Sequence, residues 1–240
     1  MSILVAGLDL GQVADYSALA IVEAKGMEWE LTVPDHDPEF RGSAGDCERL
    51  VSFEGPPVAF TIHYLGRDRE VPYPEIVERV RKRICAKPGV DLLAVDATGV
   101  GRPVVDLFVQ AGLKPLAITI TSGTAAHGDG TDWSVPKTEL VSAVLVPFQA
   151  EHLVIPRSLA LSSVLASELS TFKVKITTAA NASFGAWREG EHDDLVLAVA
   201  MAVWAGNRVI ADNAAQVQAQ AQLDAFNLEM NVDDYHIGAF

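Results

Sequence analysis

Residues 191 to 204, EHDDLVLAVAMAVW, constrain the fold of this chain more than any other segment. The run from 195 to 206 carries no charge and is almost entirely apolar, so a helix over 193 to about 210 is predicted to lie inside the core. Four ionisable residues stand directly before that run: Glu191, His192, Asp193 and Asp194. Packing alone gives no reason for acids at this end of a core helix.

The rest of the first half is predicted to alternate between strands and helices. Residues 3–10 (ILVAGLDL) and 16–23 (YSALAIVE) are apolar runs joined by a short turn, which predicts an antiparallel pair of strands. A strand–helix–strand–helix–strand series, which favours parallel pairing, is predicted to follow at 58–65, 74–86, 91–97, 102–112 and 114–121. Residues 34–57 lack an apolar period and are predicted to be a long loop or a hairpin insertion.

The second half is predicted to be more helical. Thr138 is expected to cap a helix that ends near residue 152, before a short strand at 153–155. A helix over 158–172 and a hairpin over 173–190 then lead to the core helix. We expect one domain over 1–211 and, over 212–240, an Ala- and Gln-rich tail that is a loosely attached helix or disordered.

Composition excludes several classes of protein. The chain has 32 acidic and 18 basic residues and a net charge of -14, which argues against nucleic-acid binding by bulk electrostatics. Cys47 and Cys85 are its only cysteines and have no metal-ligand spacing, so neither a disulfide framework nor a zinc site is expected. No signal segment and no membrane span is predicted.

Carboxylates interrupt the apolar pattern at three places. Asp9 lies within the first strand, Asp96 ends another, and Asp193 and Asp194 begin the core helix. Taken singly, these acids have ordinary explanations: a hydrogen-bonded turn for Asp9, a cap for Asp96, and complementation of a helix N-terminus for the pair. Taken together, they favour one shared site, where divalent Mg²⁺ or Mn²⁺ would relieve the repulsion.

The motifs resemble those of a known family. GLDLG followed by Asp15, then VDATGVG, VPK-TEL, ASELSTF and HDDLVLAVAMAVW, resemble the nuclease domain of the large terminase subunit of tailed bacteriophages over roughly residues 3–208. The resemblance implies an α/β ribonuclease-H-like fold, related to resolvases and integrases, with a central mixed sheet flanked by helices on both faces. It also implies that Asp9, Asp96 and the Asp193–Asp194 pair are the metal ligands, with Asp194 as the main third ligand.

The implied reaction is two-metal hydrolysis of a phosphodiester bond in double-stranded DNA, with little sequence preference. Asp9 is expected to bridge the ions. Further residues are candidates for positioning DNA or water, each with an ordinary alternative as a solvated or turn residue: His192, Lys137, Thr98, Gly99 and Asp15. Thr98 and Gly99 would let the backbone approach the substrate closely.

A complete large terminase also carries an ATPase motor, and the Walker A pattern is absent from these 240 residues. We therefore expect a nuclease domain that acts with an ATPase motor domain, a portal protein and a small terminase subunit in the host cell cytoplasm. Two other classes stay open: a sugar-kinase or actin-like ATPase fold, and a catalytically inactive DNA-packaging adaptor. Neither alternative explains an intact set of acids at Asp9, Asp96 and Asp194.

Overall fold

The computed structural model describes residues 1–11, 15–34, 48–98, 102–179 and 193–234. Its elements, in chain order, are β1 (Ser2–Asp9), β2 (Tyr16–Pro34), β3 (Glu48–Arg69), α1 (Tyr73–Ile84), β4 (Leu92–Asp96), α2 (Arg102–Gln110), β5 (Leu116–Thr121), β6 (His127–Asp129), β7 (Asp132–Pro136), α3 (Lys137–Gln149), β8 (Leu153–Val154), α4 (Ser162–Ala179) and α5 (Asp194–Asp234). The strands form one mixed sheet in the order β6-β7-β5-β4-β1-β2-β3-β8.

The centre of the sheet is built from β1 and its two neighbours. β1 pairs antiparallel with β2, as predicted, and parallel with β4. β2 and β3 continue beyond the sheet as an antiparallel ribbon that pairs as far as Pro34 with Glu48. The insertion predicted over 34–57 is thus largely strand on its C-terminal side, while residues 35–47 lie outside the described residues.

Helices cover both faces of the sheet. α1 and α2 pack on one face, where Leu8, Val95 and Phe108 belong to one apolar cluster. α3, α4 and α5 cover the other face, where Val5 and Ala94 join a larger cluster. The predicted α/β class, a central mixed sheet flanked by helices on both faces, is confirmed.

Helix α5 lies directly against β1 because glycines remove the side chains between them. A Cβ atom on Gly7 would overlap the carbonyl oxygen of Ala198 and lie 2.8 Å from the backbone nitrogen of Ala202. Further along, a Cβ atom on Gly206 would lie 2.8 Å from the side chain of Ala24. This close packing fixes the position of α5 along the strand.

We expect Gly7→Ala to destabilise the protein by about 3 kcal/mol or more, the upper end of overpacking costs, because the added methyl group meets rigid backbone. Urea unfolding would measure the loss. Gly89→Ala is the matched control: the position is exposed and the nearest atom to an added Cβ is 3.9 Å away, so the free energy of unfolding should change by under about 0.5 kcal/mol. Equal stability of the two variants would contradict the packing argument.

The helices of the second half differ from prediction at their ends. Thr138 is not the cap of α3. The helix begins at Lys137, and Pro136, with a fixed φ of -59°, occupies the capping position before it. α4 begins at Ser162 rather than at 158 and continues to Ala179, so the predicted hairpin is wrong over 173–179. Residues 180–190 lie outside the described residues.

Two further features were not predicted. The strands β6 and β7 form a hairpin at the edge of the sheet, where β7 pairs parallel with β5. α5 also continues without a break past residue 210 to Asp234, so residues 212–234 of the tail belong to the same helix. By length and composition, the part from Asp194 to Leu223 could cross a membrane, but 78% of its apolar window is buried inside the protein, as in a core helix.

Candidate active site

Two of the predicted acids lie side by side at one edge of the sheet. β1 and β4 are neighbouring parallel strands in which Leu8 is paired with Val95, and Asp9 and Asp96 are the next residues on each strand. The carboxyl ends of parallel strands meet at the same edge, so the two aspartates meet there as well. Asp9 is almost fully buried, with 8% of its surface exposed, and Asp96 is half-buried.

The close contact of α5 with β1 brings in the third acid. Gly7 and Asp9 are two residues apart on one face of the strand, and Ala198 and Asp194 are four residues apart on one face of the helix. Two strand residues and one helical turn advance by nearly the same length, roughly 6 Å. Asp194 therefore comes next to Asp9, and it is equally buried at 8% exposure.

The electrostatics of Asp9 show that the acids act on one another. Burial is the largest cause that raises its pKa well above the ordinary value, followed by the charges of Asp96, Asp194 and Asp193 and a hydrogen bond with Asp96. Desolvation and like charges both disfavour the ionised form. The structure thus brings Asp9, Asp96, Asp193 and Asp194 together from three distant segments.

The adjacent pair at the start of α5 is not equivalent. The carboxylate of Asp193 is 24% exposed and lies 3.7 Å from the ammonium group of Lys137, the first residue of α3. The backbone carbonyl of Asp193 accepts the hydrogen bond from Leu197 that opens the helix. Lys137 therefore lies at the site, where it neutralises Asp193.

Sequence analysis missed two residues of the site, Arg67 on β3 and Glu168 on α4. One guanidinium nitrogen, Nη2 of Arg67, donates to Glu168 at 2.9 Å and to Asp194 at 2.5 Å. The second oxygen of Glu168 accepts from the backbone N–H groups of Leu195 and Val196 at 3.1 and 3.3 Å. Glu168 thereby caps the N-terminus of α5 from a different helix. A signal existed for it, since it is the only charged residue between 158 and 172.

Burial raises the pKa of Glu168 to about 7, against the opposing effect of Arg67. A folded-state pKa above the unfolded value means that the stability contributed by the protonated form is present below about pH 4.5 and is lost as pH rises through about 7. We expect Glu168→Gln, which keeps an acceptor for the helix and cannot ionise, to remove this loss at higher pH, worth about 1–3 kcal/mol.

Thermal unfolding of both proteins between pH 5 and 8 would test this, and Glu78→Gln on the exposed face of α1 is the matched control. The wild type should lose stability relative to Glu168→Gln as pH rises through about 7. Parallel pH profiles of the two proteins would show that Glu168 does not titrate in this range.

The remaining predicted residues have varied surroundings. Asp96 accepts a hydrogen bond from the N–H of Thr98 at 2.8 Å, and the hydroxyl of Thr98 accepts one from Ile120 at 2.7 Å, which ties β4 to β5. Asp15 is exposed, and the first turn is instead joined by the N–H of Gly11 donating to Ser17 at 3.2 Å. The candidates His192 and Gly99 lie outside the described residues.

Carboxylate oxygens are the donors that Mg²⁺ and Mn²⁺ prefer, and Asp9 and Asp96 offer two within hydrogen-bonding range of each other. Over the described ranges, no three or more His, Cys, Asp or Glu side chains are arranged as ligands of a single metal ion. The carboxylate of Asp194 is instead bound to the guanidinium of Arg67.

The basic residues of α1 are turned mainly toward other residues of the protein. Arg79 bonds to Asp68 and Glu75, and Arg81 and Lys82 pair with Glu78, all on the opposite face of the sheet from the acids. The guanidinium of Arg83 lies 3.9 Å from the centre of the Tyr64 ring. This cluster is an ordinary solvated helix face with internal ion pairs.

No protein-family model matches the chain, and no curated protein matches it. The large terminase nuclease from thermophilic phage G20c is similar at 15% identity and a TM-score of 0.44, over 84% of this chain and 81% of that one. The human cytomegalovirus terminase nuclease domain, Mn soaked, is similar at 13% identity and a TM-score of 0.43, over 84% of this chain and 83% of that one. Thermus thermophilus RuvC is similar at 14% identity and a TM-score of 0.33, over 84% of this chain and 92% of that one. Two of these structures are terminase nucleases, the family whose motifs this sequence resembles.

Proposed function

We propose that the protein is a metal-dependent endonuclease that hydrolyses phosphodiester bonds in double-stranded DNA. The observation that carries this proposal is the convergence of Asp9, Asp96, Asp193 and Asp194 at one edge of the sheet, with Asp9 buried among the other acids. A cluster of buried carboxylates destabilises the protein by itself, and divalent cations are the simplest counter-charge. Strongly perturbed acids of this kind are common at functional sites.

Asp9 and Asp96 are the residues best suited to hold a first Mg²⁺ or Mn²⁺ ion, and Asp194 is best suited to complete a second position together with Asp9. When bound, two such ions activate water and stabilise the leaving oxygen of a phosphodiester. The rigid position of Asp9 in a central strand would fix the ions relative to the substrate. Asp193 lies at the rim, where it holds Lys137.

A groove that includes Lys137, the partner of Asp193, is a candidate path for a DNA strand. It has a volume of about 580 Å³ and a lining of four hydroxyl side chains, one cation and the residues between them: Thr121, Ser122, Thr124, Thr138, Lys137, Ile120 and Gly123. Hydroxyls, backbone N–H groups and lysine are the usual partners of phosphate oxygens, and such contacts carry no sequence information. The groove supports a substrate held by its backbone and cleavage with low sequence preference.

The resemblance in sequence motifs supports a wider setting for this activity. We propose that the nuclease cuts DNA during packaging of a phage genome, in the host cell cytoplasm, together with an ATPase motor domain, a portal protein and a small terminase subunit. The net charge of -14 agrees with this setting, because a protein with little intrinsic attraction for DNA depends on partners to hold the duplex.

The test is cleavage of supercoiled plasmid by the purified protein with Mg²⁺, with Mn²⁺ and with a chelator. We expect nicked and linear DNA with either ion and intact DNA with the chelator, and cut sites without a consensus. Metal-independent cleavage, or ATP hydrolysis without cleavage, would overturn the proposal; the latter would indicate a kinase-like or actin-like ATPase. DNA binding without cleavage at any metal concentration would indicate an inactive packaging adaptor.

A further inference from the structure

The acids at the site are unequally supplied with positive charge. Asp194 is bound by Arg67 at 2.5 Å, and Asp193 lies 3.7 Å from Lys137. The charges that act most strongly on Asp9 are all carboxylates. The protein thus supplies cations to the two acids of α5 and leaves a strong negative potential at Asp9.

Arg67 is built firmly into this position. Its side chain is only 13% exposed, and its guanidinium lies 4.2 Å from the centre of the Tyr16 ring. The same nitrogen, Nη2, that binds Asp194 also binds Glu168, which the first turn of α5 holds through two N–H groups. Charge-assisted bonds of this kind are the strong ones, so Arg67 competes with any other cation for Asp194.

One atom of Arg67 is unsatisfied in this arrangement. Its Nε–H is buried without a hydrogen-bond acceptor among the described residues. A buried donor without an acceptor destabilises the arrangement that contains it. The unpaired donor therefore weakens the arrangement in which Arg67 holds Asp194 and favours its exchange for another cation.

We propose that Arg67 is a built-in counter-cation for Asp194 and that a divalent ion binds at Asp194 only by displacing this guanidinium. The inference rests on the proposed metal-dependent function and adds to it that the two ions bind unequally. The first ion binds at Asp9 and Asp96 at low concentration. The second ion requires a higher concentration because it must displace Arg67, so Arg67 keeps the second position closed to metal at low concentration.

The test is titration of the DNA-free protein with Mn²⁺, with bound and free ion distinguished by electron paramagnetic resonance. We expect two unequal steps for the wild type, and loss of both steps in Asp9→Asn. In Arg67→Met the second step should move to a concentration about 10 to 100 times lower, the effect of removing one charge-assisted hydrogen bond. Arg67→Met/Glu168→Gln removes one positive and one negative charge together and should show the same shift even where the single variant folds poorly.

Arg79→Met is the matched control, because Arg79 also bridges two carboxylates but lies on the opposite face of the sheet. The second Mn²⁺-binding step of Arg79→Met should occur at the same concentration as in the wild type. Two equal steps in the wild type, or an unchanged second step in both Arg67 variants, would overturn the role of Arg67 and leave the nuclease proposal intact. Absence of Mn²⁺ binding in every protein would overturn both.

Discussion

Asp9→Asn is expected to abolish cleavage and, in the absence of metal, to stabilise the fold. The lost activity follows from the position of Asp9 between the other acids: without its charge neither ion is held, and the rate should fall by at least about 10²–10³-fold, as when a group that stabilises transition-state charge is removed. The gain in stability follows from burial. An ionised carboxylate at 8% exposure among like charges is unfavourable, whereas the amide is neutral and nearly isosteric.

The dependence on pH has a definite sign. The pKa of Asp9 is raised in the folded protein, so its contribution to stability is present below the unfolded-state pKa of about 3.9 and is lost as pH rises through the folded-state pKa. The wild type in chelator should therefore lose stability with rising pH relative to Asp9→Asn. Mg²⁺ should restore the wild type and leave the variant unchanged, because only the wild type binds the ion.

Thermal unfolding with chelator and with Mg²⁺, beside plasmid cleavage, measures both effects. Asp106→Asn on the exposed face of α2 is the matched control and should change neither the melting temperature nor the rate. A variant that cleaves at the wild-type rate would remove Asp9 from the chemistry. A variant that melts well below the metal-free wild type would show that the contacts of Asp9 in the metal-free protein are favourable rather than repulsive.

The convergence of Asp9, Asp96 and Asp194 was predictable because each lies at the end of an apolar element. The strands β1 and β4, of 8 and 5 residues, are apolar up to their final aspartates apart from Ser2, and parallel neighbours present their carboxyl ends at one edge. The apolar run after Asp194 identifies a core helix, which has to lie against that sheet. Local sequence therefore determines which elements exist and which of their ends carry acids.

Arg67 was not predictable, and the reason is a single extra residue in β3. Alternation in the strand places Phe60 and Ile62 toward α5, and by the same period Asp68 would follow on that face. The register shifts at this point, because Ile21 pairs with Tyr64 whereas Val22 pairs with Ile62. A bulge of this kind exchanges the two faces of the strand, so Arg67 points to the site and Asp68 points to α1.

Such a bulge leaves no mark in the composition of the segment HYLGRDR. Pairing between strands decides it, and pairing is a property of the whole sheet. Glu168 is the opposite case. An isolated acid among residues 158–172, which carry no other charge, was visible in the sequence within the motif ASELSTF, but its partners on α5 and β3 are 27 and 101 residues away along the chain.

Replacing Asp193 and Asp194, at the start of α5, separately should give very different losses of activity. Asp194→Asn is expected to reduce kcat/KM by about 10²–10³-fold, whereas Asp193→Asn should reduce it by about tenfold or less. Asp194 lies one helical turn before Ala198, which contacts β1 at Gly7, so its carboxylate points along the same stripe toward Asp9. Asp193 is rotated away by about 100°, is a quarter exposed, and is neutralised by Lys137.

Steady-state cleavage of a short duplex at several Mg²⁺ concentrations would separate the two residues. Excess metal should recover part of the activity of Asp193→Asn, because its loss changes only a weak, screened charge at the rim. It should not recover Asp194→Asn, because an amide is a poor ligand for Mg²⁺ beside Arg67, which keeps its bond to Glu168. The reverse order of losses would place the ligand at Asp193, which requires α5 to rotate and so to break its close contact with Gly7.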